Sequence, residues 1–226
     1  MKLPTILSGP IIRRAERDKV YIWIATSLPC ALHAELYTVT KKSFKDQYIY
    51  HPLGVTTETK TIRAGRHFYT HLLKLSPSEA AYFPTDTLLG YNLSLETKSE
   101  TFDLGKLGLL SQSNPERITY GNLQYPTFFI NRKNNTNILY GSCRKTHGEG
   151  QDALVKGDQE VSENYLLLTR RPSALFLLGD QIYADDIADP LIPFLKELGE
   201  NIVGTKENLA DVEQKLTGET YNISLD

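Results

Sequence analysis

Three residues able to hold a metal stand at the ends of two apolar runs. Cys143 follows NILYGS, and Asp180 and Tyr183 follow ALFLL within the string GDQIY. A thiolate is a soft metal ligand, a carboxylate can bridge two cations, and a tyrosinate favours a hard ferric ion. Each residue also has a plainer role open to it. Cys143 suits a small buried strand end, Asp180 a turn cap and Tyr183 a packed aromatic position. Two further chemistries arise for Cys143. A cysteine-phosphatase loop would close on an arginine six positions on, where the chain has Glu149, so that option fails. A nucleophile pair with His147 finds no other support in the sequence.

Two more patterns invite chemistry. Asp185, Asp186 and Asp189 make a DDxxD string, a diphosphate and Mg²⁺ binder when carried on a helix face; beside Pro190 it reads here as a solvated acidic loop. His67 and His71 have the i, i+4 spacing of a helical metal pair. They sit in a β-rich stretch, which predicts histidines on one sheet surface.

The elements that must position Cys143, Asp180 and Tyr183 are legible as a pattern. Residues 137–142 and 174–178 are short apolar runs ending in Gly or Ser, which predicts buried parallel strands. From Asp152 the positions Leu154, Val161, Tyr165 and Leu168 share a helical face, and Pro172 predicts a stop at Arg171. Strand, helix and parallel strand make a crossover whose two loops leave the same sheet edge, where open α/β sheets hold ligands. Neighbouring strands lie ~4.8 Å apart, so both loops can share one small site.

Upstream, VYIWIATS, ALHAELYT, ETKTIRA, HFYTHLLKL and LLGYNLSLE are rich in Tyr, Ile, Val and Thr and are separated by turn residues. They predict an antiparallel β-sandwich, with a turn at residues 75–78. The domain reading is residues 1–112 for the sandwich, 113–136 for a linker and 137–226 for the first part of an α/β domain. After Asp189, PLIPFLKELGE and TKENLADVEQKLTGE predict two helices. One crossover with two helices makes a sheet too narrow to cover itself, so this α/β part reads as incomplete.

Composition narrows the function classes. The chain has 226 residues, 40% hydrophobic and 23% charged, and 25 basic against 27 acidic residues give net charge -2. No broad nucleic-acid footprint is present, and no apolar run is long enough to span a membrane. The opening MKLPTILSGPIIRRAERD does not read as a secretory signal, which makes the expected compartment the cytoplasm. Cys30 and Cys143 lie in dissimilar settings and predict no disulfide. Three glycosylation patterns at Asn92, Asn134 and Asn222 then carry no weight.

GSCRKTHGEGQDAL followed by RPSALFLLGDQIYADD resembles the alkaline phosphatase D group of metallophosphatases. The spacing of Gly179, Asp180 and Tyr183 is similar to that in purple acid phosphatases, and LSGPIIRRAERDKVYIWIATS resembles the opening of the group's N-terminal β-sandwich. The resemblance implies a two-domain α+β chain, a sandwich followed by a calcineurin-like α/β metallophosphoesterase core. It implies a hydrolase of small phosphate esters that uses Fe³⁺ and a divalent cation, often Ca²⁺. By that likeness Cys143 and Tyr183 bind iron and Asp180 bridges to the second metal.

Two metals ~3.5–4 Å apart would activate a water for in-line attack on phosphorus. Arg144, Lys145 and His147 are placed to help hold the anion. The family's later Asn and His ligands are not met, since no histidine follows His147. Residues 1–226 are therefore expected to hydrolyse phosphate esters poorly by themselves. The competing expectation is a non-catalytic binding or scaffold protein that works through the sandwich.

Overall fold

The computed structural model describes residues 2–42, 46–132, 136–146, 148 and 150–204. Nine strands precede residue 130: β1 Ile6–Ala15, β2 Val20–Thr26, β3 Ala31–Lys41, β4 Tyr48–Leu53, β5 Val55–Gly65, β6 Phe68–Pro77, β7 Leu89–Glu96, β8 Thr101–Asp103 and β9 Thr127–Phe128. One sheet has the order β1-β2-β6-β5; the other has β4-β3-β7-β8, with β9 also on β7. Every pairing in both sheets is antiparallel.

Alternation explains why the two sheets face each other. Val20, Ile22 and Ile24 on β2 and Leu73 and Leu75 on β6 point inward from one sheet. Leu32, Leu36, Leu89, Leu93 and Leu95 meet them from β3 and β7 of the other. A period-2 pattern puts all these side chains on one face, and fully burying each is worth about 1.5–3 kcal/mol. The β5 edge carries Glu58, Lys60 and Arg63, charges that discourage pairing with a further strand. Pro52 lies in the edge strand β4, where its missing N–H costs little.

Two local expectations are corrected. His71 is not on a sheet surface: it is fully buried in register with Leu73 and Leu75, while His67 lies in the turn before β6. A buried imidazole is tolerable because both nitrogens are bonded, Nε2 to Thr26 Oγ1 and Nδ1 to Thr61 Oγ1, each at 2.9 Å. The turn expected at residues 75–78 begins only at Ser78. Leu75, Ser76 and Pro77 still pair with β5, and the Ser78 N–H then donates to the Gly54 carbonyl at 3.0 Å.

Residues 104–130 follow the sandwich surface with little regular structure, yet Leu104, Leu123, Phe128, Phe129 and Ile130 are buried. Val39, Leu88 and Leu123 form a second small cluster, against which Tyr48, Tyr50, Tyr165, Leu166 and Leu168 pack. Tyr37 stacks on Tyr125 at 5.1 Å between centroids, with Tyr50 edge-on to Tyr125.

The remaining described elements are β10 Ile138–Gly141, α1 Ala153–Glu163, β11 Ala174–Leu177 and α2 Ile192–Val203, the last preceded by a 3₁₀ turn at Asp189–Leu191. β10 and β11 are parallel neighbours, Ile138 opposite Ala174 and Gly141 opposite Leu177. Asp152 caps α1 by accepting from the Leu154 N–H at 3.0 Å. The helix ends at Glu163, eight residues before the stop that Pro172 predicts. Residues 164–171 turn instead, which carries Tyr165, Leu166 and Leu168 onto the small cluster and Arg171 onto β9.

The parallel pair is open among the described residues: Ile138, Tyr140, Leu175, Phe176 and Leu177 are all exposed. α2 is held by its C-terminus. The Arg66 and His67 N–H groups donate to the Val203 and Ile202 carbonyls at 2.8 and 2.9 Å, satisfying helix-end acceptors. Gly65 permits that approach, since a Cβ there would lie 2.7 Å from the Ile202 carbonyl oxygen. The expected helix after Thr205 lies outside the described residues. No described helix is long and apolar enough to cross a membrane.

Candidate metal centre

The loops after β10 and β11 leave the same edge and touch. The Arg144 N–H donates to the Asp180 carbonyl at 2.7 Å, and the Leu178 N–H donates to the Gly141 carbonyl at 2.8 Å, extending the strand ladder into the loops. Glycine at position 179 keeps the gap narrow, since a Cβ there would crowd the Ser142 hydroxyl and lie 3.7 Å from the Cys143 sulfur. Cys143 itself is left-handed, at φ 57°. A non-glycine residue in that region is uncommon and is held by surrounding contacts. Here they are the two backbone bonds and the 3.1 Å contact of Ser142 Oγ with the Cys143 sulfur.

Cys143 and Tyr183 lie near enough to influence each other's ionisation, and Asp180 acts electrostatically on both. Hydrogen bonds from Ser142 and then Tyr183 pull the Cys143 thiol below its usual range. The same contact with Cys143, followed by burial and the charges of Asp180 and Asp185, pushes the Tyr183 phenol up to about 12. Both shifts come from the same neighbours: proximity of Cys143 and Tyr183 favours the charged form of the thiol and disfavours that of the phenol. A cation entering there would meet a sulfur, a phenol oxygen and a carboxylate as donors. That donor set fits a trivalent iron ion. Among the described residues no three His, Cys, Asp or Glu side chains converge on a point; the third donor is tyrosine, outside that set.

The cations following Cys143 are already engaged. Arg144 makes a forked pair with Asp152, Nε to both carboxylate oxygens at 3.1 Å and Nη2 to Oδ2 at 2.6 Å. Its guanidinium holds the Asp152 carboxyl below the usual range, and Asp152 holds Arg144 above its own. Lys145 forms an ion pair with Asp186, clipping one loop to the other. His147 lies outside the described residues. Of the DDxxD residues, Asp186 faces Lys145 and Asp189 opens the 3₁₀ turn.

Sequence reasoning missed two participants. In the sequence Ser142 reads only as the end of an apolar run, and Asp152 only as the start of a helix. A Ser beside a candidate thiolate, and an acid eight residues after an Arg at a helix start, were the available signals. No protein-family model matches this chain, and no curated protein matches it in sequence.

Proposed function

We propose that the chain belongs to a metal-dependent phosphoric ester hydrolase of the alkaline phosphatase D-like kind, its calcineurin-like core beginning at β10. The observation that carries this is the meeting of Cys143, Asp180 and Tyr183 where two parallel strands open into loops. Cys143 and Tyr183 would hold Fe³⁺, and Asp180 would share it with a divalent ion such as Ca²⁺. Bound metals supply Lewis acidity toward a phosphate oxygen and an activated water.

The chain's own residues set the stage for that chemistry. The Arg144–Asp152 fork ties the first loop to the start of α1, and Lys145–Asp186 ties it to the second loop. Both ties anchor the residues that directly follow Cys143. Arg144 and Lys145 face an incoming phosphate only by exchanging a carboxylate for it, so their reading as anion holders requires Asp152 or Asp186 to let go. His147 is the third proposed anion contact. Among the described residues the second metal has only a share of Asp180 and the acids at 185, 186 and 189. Residues 1–226 are accordingly proposed to bind one metal firmly and to turn substrate over slowly. The proposed compartment is the cytoplasm, where free thiols such as Cys30 and Cys143 stay reduced.

The test is iron loading followed by visible spectroscopy. Tyrosinate bound to ferric ion gives a charge-transfer colour, which Tyr183→Phe should bleach while Lys145→Ala should leave it. A colourless protein that takes up no iron would overturn the assignment, and so would colour that survives Tyr183→Phe.

A further inference from the structure

A cavity of about 1050 Å³ runs between α1 and the β10–β11 pair, within the size range of small-molecule sites. Leu139, Val161, Leu175 and Leu177 give it apolar walls, and Gly157 opens it on the helix side. At the end away from the metal loops sits Arg171, only 6% exposed.

Among the described residues, no carboxylate pairs with the buried Arg171 guanidinium. Its Nη1 donates to Thr127 Oγ1 and the Tyr165 carbonyl, both at 3.0 Å, and its Nη2 to the Thr127 carbonyl at 2.5 Å. A guanidinium has five N–H donors, so the Nε–H and one Nη2–H remain unused. The unpartnered Nε is not sealed off from solvent, and the residue lines the cavity. Three carboxylates share the lining. Asp152 is taken by Arg144, Asp158 accepts from the Tyr120 hydroxyl at 2.6 Å, and Glu160 likewise makes no pair with Arg171. A buried charge is costly until it is paired, and a carboxylate or phosphate meets a guanidinium edge in a two-point fork.

We propose that this cavity binds an amphiphilic anion, its head on the Nε and Nη2 edge of Arg171 and its aliphatic tail along the leucine and valine walls. The tail has room to extend, because the four residues of β11 span roughly 13 Å at ~3.3 Å per residue. Binding would remove the half-exposed Leu175 and Leu177 from water as well as neutralise Arg171. Cys143, Arg144 and Lys145 line the other end of the same cavity, so the Arg171 site adjoins the proposed metal loops, but it requires no metal to bind.

Calorimetry on the metal-free 226-residue protein, with decanoate, decyl phosphate and decanol below micelle formation, tests it. At least one anion should bind tenfold or more tightly than decanol, and the tighter of the two names the head group. Arg171→Gln should lose at least tenfold in anion affinity. Because Arg171 also fastens β9, that variant counts only if its circular dichroism is native. Gly157→Leu is the independent arm: it fills the cavity from a helix position where a Cβ meets only Leu139 Cδ1 at 3.4 Å, and it should abolish binding with the helix intact. Decanol binding as tightly as both anions would overturn the proposal, as would undiminished binding by folded Arg171→Gln or by Gly157→Leu.

Discussion

Thr26→Val removes one of the two hydrogen-bond partners of the buried His71 imidazole. Thr26 and His71 are both fully buried, and Thr26 Oγ1 donates its only proton to the Leu28 carbonyl at 2.8 Å. Its contact with His71 Nε2 must therefore be one it accepts, which makes His71 the Nε2–H tautomer, with Nδ1 accepting from Thr61. Valine keeps the branched shape but removes the acceptor. An orphaned buried N–H costs about 1–3 kcal/mol, and the lost bond to Leu28 adds about 0.5–1.5. The expected destabilisation is about 3 kcal/mol, or about 6–12 °C in Tm for a chain of this size. Urea unfolding should show a lower midpoint at unchanged slope. Thr26→Val combined with His71→Leu should recover much of the loss, because no buried N–H is then orphaned and the exposed Thr61 and Leu28 can turn to water. A loss below about 0.5 kcal/mol, or none recovered in the double variant, would refute the reasoning.

Burial also lowers the His71 pKa from its ordinary value, which gives a pH signature. The unfolded chain takes up the proton first, near pH ~6.5. Stability tied to His71 is present above that pH and falls as pH drops toward the folded-state value, by up to about 1.4 kcal/mol per pH unit. Subtracting the profile of His71→Leu from that of the wild type removes the carboxylate contributions common to both.

Three further outcomes are expected. Alkylation of Cys143 at neutral pH should slow in Ser142→Ala and in Tyr183→Phe, because both remove a hydrogen bond that stabilises the thiolate; equal rates, measured in a Cys30→Ala background, would count against the pairing. Gly65→Val should undock α2, since its Cβ would fall 2.8 Å from Val203 Cα, and hydrogen exchange should rise across residues 192–203 with the sandwich protected. Loaded with iron and calcium, residues 1–226 should hydrolyse a phosphate diester and a monoester far more slowly than a protein supplying further ligands to the second metal; equal rates, abolished by Asp180→Ala, would show that the donors present suffice.

Local chemistry determined a good part of this protein. Alternation of Val20, Ile22 and Ile24, and of Leu32, Ala34 and Leu36, marks sandwich strands because a strand has only two faces. The runs before Cys143 and Asp180 mark β10 and β11, and the capping acid Asp152 marks where α1 starts. Strands β1, β4, β8 and β9 were not foreseen: bulges interrupt β1, Pro52 interrupts β4, and β8 and β9 are too short to show a period.

Tertiary structure decided what spacing cannot express. His67 and His71 look alike along the chain, yet the β2–β6 register sends His71 into the core while the turn leaves His67 outside it. α1 stops at Glu163 with no proline beside it, and the turns that follow pack Tyr165, Leu166 and Leu168 against the cluster of Val39, Leu88 and Leu123. Arg144 reads as a free cation until the fold sets Asp152 eight residues away against it. Arg171 lies in a charged-looking string, TRRPS, and only packing against Thr127 buries it with no carboxylate paired to it among the described residues. In each case the deciding partner is distant in sequence or displaced by a turn, so its pairing exists only once the sheets have set which faces meet.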